Sequence, residues 1–120
     1  MANPRPAPIT LVGQANNRFR QQVLLGDPGN HRILATAGIK ALGPDPVREI
    51  LQVILSFREE DFREGFNPWG DRDFIVIDYQ GKRIFAKIDT YDPSMEFMSP
   101  DPADDRVTIR VLTVMFDFEY

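Results

Sequence analysis

The chain of 120 residues contains no cysteine, and it has one histidine and one tryptophan. Without cysteine it can form no disulfide, no thiolate nucleophile and no cysteine-based zinc site. The histidine, His31, has no second histidine with which to complete a His-based metal site, and no serine stands in the context of a nucleophile elbow. We therefore expect His31 to be a surface or turn residue and not a catalytic one.

Long apolar runs and glycine-rich phosphate loops are also missing. No apolar run approaches the length that crosses a bilayer, and the segment from Met1 to Pro8 lacks the apolar core of a secretory signal. Gly26 and Gly29 follow a predicted helix and do not join a strand to a helix, as a nucleotide-binding loop would. We expect a cytoplasmic protein with no cofactor and no membrane association.

Charge is unevenly distributed along the chain. The segment from Met1 to Arg58 has seven Lys or Arg against three Asp or Glu, which is +4, and the remainder has seven against fifteen, which is −8. The two balances sum to the net charge of −4. An acidic second half favours a protein partner with a basic surface and disfavours direct nucleic-acid binding. A local basic patch would have to come from Arg18, Arg20 and Arg32.

The length is that of one domain, and we expect a flexible Pro-rich tail over residues 1–8 before a single domain over residues 9–120. A first helix is predicted to be capped by Thr10 and to stop before Gly26. Its apolar positions fall three or four residues apart on one face. They are Val12, Ala15, Phe19 and Val23.

A strand and a second helix are predicted next. From Arg32 to Ile39 apolar residues alternate, which is typical of a strand that buries one face. The second helix is predicted to have Asp45 as its N-cap and Pro46 at its first position. Its apolar stripe, which we expect to pack on the sheet, consists of Val47, Ile50, Leu51, Ile54 and Phe57.

The clearest feature of the second half is a hairpin around Gln80-Gly81, because a two-residue loop with glycine second is typical of such a turn. A register that pairs Tyr79 with Lys82 brings apolar side chains together on both faces and sets Asp78 opposite Arg83. A slip of one residue would destroy these matches. One face then carries isoleucines, and the other carries Phe74, Val76, Phe85, Lys87 and Tyr91.

The last element, from Val107 to Phe118, admits two interpretations. The apolar residues have helical spacing behind Asp101, a helix cap, and Pro102. Alternation of Val107, Ile109 and Val111 favours a strand. The capping residues favour the helix, and we predict an α+β fold in the order α-β-α-β-β-α, with an antiparallel sheet of three or four strands and helices packed on it.

The loop before the hairpin contains the tryptophan. Glu59 to Gly65 is acidic and is predicted to be a solvated surface, and the loop from Phe66 to Gly70 sets Phe66 and Trp69 around a turn. A tryptophan that packs its loop onto the core is the commoner case, and an exposed one would be a binding hot spot. The sequence leaves both interpretations of Trp69 open.

Three dense blocks of sequence begin at Asn67-Pro68-Trp69-Gly70-Asp71, at Arg83-Ile84-Phe85 and at Ser99. In these blocks the chain resembles a family of small bacterial proteins known as domain of unknown function 3768. The resemblance implies the turn and hairpin described above, and it implies a role in conflict or maintenance, because such proteins are similar to those found on plasmids and other mobile elements. This chain departs from the family pattern at Ala86, where a bulky aromatic is common, and at Thr90, which is often Tyr.

The predicted face opposite the isoleucines is too apolar to stand fully in water, so we expect the C-terminal helix, another subunit or a partner to cover it. The leading hypothesis is a small acidic, non-enzymatic protein-interaction module, encoded by a mobile element, that inhibits or modulates a host defence or nucleic-acid-handling factor. A homodimer is a second way to cover this face. The expected partner-binding residues are Trp69, Phe74, Phe85, Lys87, Asp89 and Tyr91.

The alternative hypothesis is a metal-dependent nuclease-like enzyme that uses Asp73, Lys87 and Asp89. Asp71 and Asp92 extend this acidic cluster. Nuclease sites of this kind usually have the acidic residue before the lysine on one strand, whereas Lys87 precedes Asp89 here. The order favours residues that cap turns and pair across strands.

Overall fold

The computed structural model describes residues 7–62 and 67–120, so most of the predicted tail over residues 1–8, together with Gly65 and Phe66, lies outside the described residues. The fold is α+β, as predicted, with three α-helices and a four-stranded sheet. The helices are α1 (Leu11–Leu24), α2 (Ala37–Lys40) and α3 (Pro44–Leu55), and the strands are β1 (Arg32–Ala35), β2 (Phe74–Tyr79), β3 (Lys82–Tyr91) and β4 (Ile109–Phe116).

The strands lie in the order β1-β4-β3-β2. Strand β3 pairs antiparallel with β2 and β4, whereas β1 pairs parallel to β4, so the sheet is mixed. The predicted hairpin register is confirmed, since Tyr79 pairs with Lys82, Asp78 with Arg83 and Val76 with Phe85. Because side chains alternate along a strand, this register assigns every residue of β2 and β3 to a face.

The core lies between one face of the sheet and the three helices. Ile50 and Ile54 of α3 and Phe19 of α1 are almost fully buried against it. None of the helices among residues 7–62 and 67–120 has the length and apolarity to cross a lipid bilayer. The sheet contributes to this core the isoleucine face of the hairpin and the matching side of β4, namely Ile75, Ile77, Ile84, Ala86, Ile88, Leu112, Val114 and Phe116.

The first helix begins as predicted, because the Thr10 hydroxyl oxygen accepts a hydrogen bond from the Gly13 N–H at 3.0 Å. Two poor helix formers inside it have packing roles. A Cβ on Gly13 would lie 2.4 Å from the carbonyl oxygen of Gly70, so only glycine allows the turn at Gly70 to approach α1. Asn16 is fully buried and donates to the carbonyl of Asp71 at 2.9 Å.

The strand predicted from Arg32 to Ile39 is too long. Strand β1 ends at Ala35, because Thr36 caps α2 by accepting a hydrogen bond from the Ile39 N–H. Ile39 is 1% exposed, so it reaches the core from a helix and not from a strand. Residues four positions apart share a face in a strand and also in a helix. The alternation of apolar residues therefore did not distinguish the end of β1 from the start of α2.

The second predicted helix, α3, begins two residues earlier than expected. Gly43 is the N-cap residue, and no side chain caps the helix. Asp45 therefore lies in the first turn, where the helix dipole favours it and where it binds Arg48 at 2.9 Å. The predicted apolar stripe is confirmed, with Ile50 and Ile54 at its centre.

The predicted C-terminal helix is wrong, because Ile109–Phe116 forms strand β4. Asp101 and Asp104 do act as caps, but they cap a turn and a three-residue 3-10 helix at Asp105–Val107. Strand β4 lies between β1 and β3, and apolar residues stand on both of its faces. Apolar residues on both faces produce spacings that resemble those of a helix.

Three arginines are buried and hold the chain together from inside. Arg20 is 2% exposed and donates to the carbonyls of Ile54 and Phe57 at the end of α3, so the basic patch suggested for it is not formed. Burial lowers the pKa of Arg20 to about 10. Arg72 is 2% exposed and Arg110 is fully buried, and each also donates hydrogen bonds to acceptors in other segments of the chain.

Arg110 joins strand β4 to α1 and to the loop before β4. Its Nε donates to Asn16 Oδ1 at 2.9 Å, one terminal nitrogen donates to Asp105 Oδ1 at 2.7 Å, and the other donates to the carbonyl of Pro102. Its backbone N–H donates to Nδ1 of His31 at 2.8 Å. The guanidinium group is therefore surrounded by acceptors from α1 and from the loop before β4.

Candidate functional site

The candidate site is the face of the sheet that points away from the helices, here called the outer face. Register assigns to it alternate residues of all four strands. Met115 and Val111 of the central strand are nearly buried there, and the surrounding side chains are half-buried or exposed. The outer face carries Arg32 and Leu34 of β1, Phe74, Val76 and Asp78 of β2, Arg83, Phe85, Lys87, Asp89 and Tyr91 of β3, and Val111, Thr113 and Met115 of β4.

An aromatic cluster lies at the β2 side of the outer face. The rings of Phe74 and Phe85 are 5.0 Å apart, and the ring of Tyr120 stands edge-on to both at 5.9 Å. Tyr120 follows a short 3-10 helix at Asp117–Glu119 and is 76% exposed. One tyrosine ring thus covers part of the face that a C-terminal helix was expected to cover, and the rest stays half-exposed.

An ion pair borders the aromatic cluster. Lys87 Nζ lies 3.0 Å from Asp89 Oδ2, with 37% and 39% of the two side chains exposed. The hydrogen bond to Asp89 raises the pKa of Lys87, and the nearby Tyr91 and Tyr120 raise it further. The amine is therefore held protonated by its neighbour, as suits a surface contact that recognises charge.

Asp73 lies where the outer face meets the loop before β2. Although the residue is exposed as a whole, packing around its carboxyl group raises its pKa, and the negative charges of Asp71 and Asp89 raise it further. Asp71 and Asp89 therefore both act on the carboxyl group of Asp73. Within residues 7–62 and 67–120 no three acidic or histidine side chains are grouped so that they could hold a metal ion.

Trp69 is exposed, so the commoner of the two interpretations, a tryptophan that packs on the core, is wrong. The side chain is 81% exposed in the turn after Asn67. Hydrogen bonds hold this turn on the start of α1, because the Thr10 N–H donates to the Gly70 carbonyl at 3.1 Å and the Thr10 hydroxyl donates to Asp71 at 2.7 Å. The backbone is rigid under an exposed tryptophan, an arrangement that lowers the entropic cost of binding.

Arg72 supports this turn from inside and has a positive φ of 51°. Its guanidinium group donates twice to Glu59, at 2.8 and 2.9 Å, and once to the carbonyl of Ala7 at 2.7 Å. Glu59–Asp61 is exposed, as predicted for this acidic segment, but Phe62 is 3% exposed and lies under the guanidinium groups of Arg72 and Arg20. The acidic segment therefore also anchors the turn.

His31 lies at the start of β1 and is half-buried, not a free surface residue. Its Nδ1 accepts the Arg110 N–H, and its ring meets Phe19 edge-on at 4.9 Å. Burial lowers the pKa of His31, and the nearby positive charge of Arg110 lowers it further. His31 is a neutral link between β1 and β4, which no sequence pattern indicated.

The structure unites some of the predicted binding residues and separates others. Phe74, Phe85, Lys87, Asp89 and Tyr91 share the outer face, with the Phe74–Phe85 contact and the Lys87–Asp89 ion pair inside it. Trp69 lies in the adjoining turn and outside the sheet. The sequence did not predict three further residues. Tyr120 contacts Phe85 on this face, and Phe97 and Met98 are exposed in the turn beside Tyr91.

Phe97 and Met98 belong to a turn that follows β3. Met98 forms a β-bridge with Tyr91, and the two apolar side chains are 68% and 83% exposed. Asp92 orders the turn, since its carboxylate accepts the Ser94 hydroxyl and the N–H groups of Glu96 and Phe97. The Asp92-Pro93 pair signalled a turn, but nothing in the sequence placed it beside Tyr91.

The two departures from the family pattern do not lie on the outer face. Ala86 is 1% exposed in the core, and Thr90 has the same parity on β3 and faces the same side. A smaller residue at position 86 therefore changes packing beneath the sheet. The side chains of Phe85, Lys87, Asp89 and Tyr91 point the other way.

Comparison with known proteins agrees with the blocks seen in the sequence. A sequence profile of the family described as "Protein of unknown function (DUF3768)" matches residues 35–119. No curated protein and no solved structure gives a significant match. The matched region includes β2, β3 and β4 and therefore most of the outer face. By this match over most of its length, the chain belongs to the DUF3768 family of proteins of unknown function.

Proposed function

We propose that this protein is a non-enzymatic protein-interaction module that binds its partner through the outer face and the adjoining Trp69 turn. The observation that carries the proposal is the half-exposed cluster of Phe74, Phe85 and Tyr120, which lies beside the Lys87–Asp89 ion pair. Exposed aromatic clusters with a charged rim are typical of protein interfaces.

The exposed side chains of the proposed site stand on a backbone held by hydrogen bonds, which supports a role in binding. The Trp69 turn is held by hydrogen bonds to Thr10, and the aromatic cluster stands on a paired strand. A preorganised surface loses little conformational entropy when a partner binds. Tryptophan and tyrosine are also the residues most enriched among binding hot spots.

Charge supports a partner with a basic surface. The chain from Glu59 onward carries a balance of −8, and Asp78 and Asp89 lie on the outer face. Several other carboxylates are already engaged inside the protein, such as Glu59 by Arg72 and Asp105 by Arg110. Asp78 is exposed on the outer face and available to a partner, whereas Asp89 also pairs with Lys87.

We further propose that the partner is a host defence or nucleic-acid-handling factor that the protein inhibits or modulates. The resemblance to proteins carried on mobile elements supports this role. Bacterial and cytoplasmic origin are part of the same proposal. A homodimer formed through the outer face is the competing way to cover the aromatic cluster.

Affinity capture from the native host tests the proposal with the double variant Trp69→Ala/Phe85→Ala as bait beside the wild type. We expect the variant to lose the captured protein and to keep a cooperative thermal melt. Leu25→Ala is the matched control, since Leu25 is 85% exposed at the end of α1 and lies outside the proposed site. Equal capture by the double variant and the wild type would refute the proposal.

Two measurements separate the competing functions. A metal-dependent nuclease that uses Asp73, Lys87 and Asp89 predicts that Mg²⁺ or Mn²⁺ raises the melting temperature and that Asp89→Asn removes the shift. A homodimer through the outer face predicts twice the monomer mass by light scattering at micromolar concentration. In that case Phe85→Ala returns the protein to a monomer.

A further inference from the structure

The edge of the sheet at β2 turns some of its backbone groups away from β3. The carbonyl of Asp73 accepts the Ile88 N–H at 2.8 Å, and inward hydrogen bonding alternates along an antiparallel strand. The backbone groups of Ile75 and Ile77 therefore point at β3, whereas those of Val76 and Asp78 point away from the sheet. Within residues 7–62 and 67–120 no strand pairs with that side of β2.

This edge lacks the features that usually protect an exposed strand. From Phe74 to Tyr79 there is no proline, no lysine and no bulge, and five of the six residues are apolar or aromatic. The other edge of the sheet, β1, is only four residues long. Beyond Phe74, whose carbonyl accepts Asn67 Nδ2, the outward backbone groups of Val76 and Asp78 meet no strand among residues 7–62 and 67–120. Such an edge is a template on which another strand can pair.

A cavity of about 80 Å³ lies along the open edge. Val76 and Asp78 line one side of it, and Phe57 and Phe62, whose rings meet edge-on at 5.2 Å, line the other. The cavity touches both the core side and the outer side of β2. It therefore occupies the position in which the side chain of an added strand would lie.

Asn67 gives an independent sign of an occupant. Its side chain is 2% exposed and lines the cavity, and its Nδ2 donates to the carbonyl of Phe74 at 3.1 Å. Its Oδ1 is buried and has no hydrogen-bond partner among residues 7–62 and 67–120. A buried acceptor without a donor costs about 1–3 kcal/mol, a cost that an N–H group entering the cavity would remove.

Charge indicates the chemistry of the occupant. Asp61 and Asp78 line the cavity together with Arg83, and Glu49 lies at the far end of β2, where it accepts the Tyr79 hydroxyl at 2.6 Å. Acidic groups outnumber basic ones along the part of this edge that the structure describes. A second copy of this chain would offer the same acidic groups, so the charges favour a basic segment over a second copy.

We infer that the open edge of β2 is a second docking site, which binds an extended segment of a partner protein as a fifth strand. The segment alternates apolar with basic residues, so that an apolar side chain enters the cavity while Lys or Arg side chains meet Asp61 and Asp78. Its backbone pairs with Val76 and Asp78, and an N–H group satisfies Asn67. This site is separate from the proposed use of the aromatic cluster on the outer face.

A synthetic peptide of alternating lysine and valine, seven residues long with both ends blocked, tests the inference. In the free protein the N–H groups of Val76 and Asp78 should exchange rapidly with solvent, while those of Ile75 and Ile77 are protected. Addition of the peptide should shift the NMR signals of Val76 and Asp78 and slow their exchange. The same peptide with glutamate in place of lysine should bind more weakly.

Variants locate the contact. Asp78→Asn should weaken peptide binding about twofold to fivefold, the usual range for one exposed ion pair, whereas Asp27→Asn, an exposed acid in the turn after α1, should not change it. Val76→Pro removes the outward N–H without removing a bond to β3, and should abolish binding, whereas Val76→Thr keeps the N–H and should retain it. If Val76→Pro fails to fold, a peptide with N-methyl groups on its pairing edge replaces it.

Three results would overturn the inference. The first is the absence of any signal shift at Val76 and Asp78 with millimolar peptide. The second is equal binding by the N-methylated and unmodified peptides. The third is protection of the Val76 and Asp78 N–H groups without peptide in a protein that is dimeric, which would make a second copy the occupant. Peptide binding at this edge should not change in Phe85→Ala. The proposal for the β2 edge and the proposal for the outer face can therefore be refuted separately.

Discussion

Replacement of Arg110 by methionine tests how the buried guanidinium group holds the sheet to α1. Methionine has a similar length, so Arg110→Met leaves little cavity and removes mainly hydrogen bonds. Asn16 is fully buried, and loss of the donor to its Oδ1 leaves that acceptor unpaired, at a cost of about 1–3 kcal/mol. The Pro102 carbonyl and the half-exposed Asp105 remain within reach of water and add about 1–2 kcal/mol.

The expected loss is therefore about 2–5 kcal/mol, a large part of the roughly 5–15 kcal/mol that stabilises a typical domain. Urea unfolding followed by far-ultraviolet circular dichroism measures it. Arg106→Met is the matched control, because Arg106 also binds an aspartate at 2.9 Å but its side chain is 88% exposed. We expect that control to lose less than about 1 kcal/mol. Losses within about 1 kcal/mol of each other would refute the role of Arg110.

Three further perturbations have expected outcomes. His31, the only histidine in the sequence, should titrate by NMR with a pKa below the ordinary value of 6.5. The free energy of unfolding should therefore fall as pH falls from 6.5 towards the lower pKa of the folded state. A titration midpoint at or above 6.5 would contradict this. Gly70→Ala should destabilise the protein more than Gly81→Ala. The two glycines have the same backbone strain, with φ of +79° and +78°, but only a Cβ at Gly70 would clash, at 2.0 Å from the Pro8 carbonyl oxygen. Equal losses of stability would contradict this contact. Hydrogen bonding to Arg72 lowers the pKa of Glu59, so acid should remove that stabilisation below the ordinary carboxyl pKa, and Glu59→Gln should flatten the acid limb of the stability profile.

Local chemistry was sufficient to predict the hairpin. The Gln80-Gly81 turn limits the register, and the match of apolar and charged pairs selects one register from the few that remain. The same holds for Thr10 at the start of α1, where a side-chain cap acts within three residues. Such features depend on neighbours in sequence and can be read from the sequence.

Long-range packing decided the elements that were predicted wrongly. Strand β4 is central, and burial on both faces hides the alternation by which a strand is recognised. Trp69 is exposed because the turn that carries it is fixed by two contacts. Thr10, which is distant in sequence, binds the turn, and Arg72, which is buried by tertiary contacts, binds Glu59. The cavity beside Asn67 likewise depends on Phe57, ten residues away on another element.

The candidate site was partly predictable for the same reason. Register alone placed Phe74, Phe85, Lys87 and Asp89 on one face of the hairpin. The contributions of Tyr120 and Leu34 could not be predicted, because they depend on β4 as a strand and on its parallel partner β1. The aromatic cluster is thus a product of the complete sheet.

Site-directed photo-crosslinking can show whether the outer face contacts a partner protein. The chain has no native cysteine, so Leu34→Cys and Val53→Cys each provide a single attachment point. Leu34 lies at the rim of the outer face and is 50% exposed, while Val53 is 48% exposed on α3, which packs against the opposite side of the sheet. With a benzophenone label in an extract of the native host, we predict a discrete crosslinked product from position 34 and none from position 53. A product of equal yield from both positions, or from position 53 alone, would contradict a contact through the outer face.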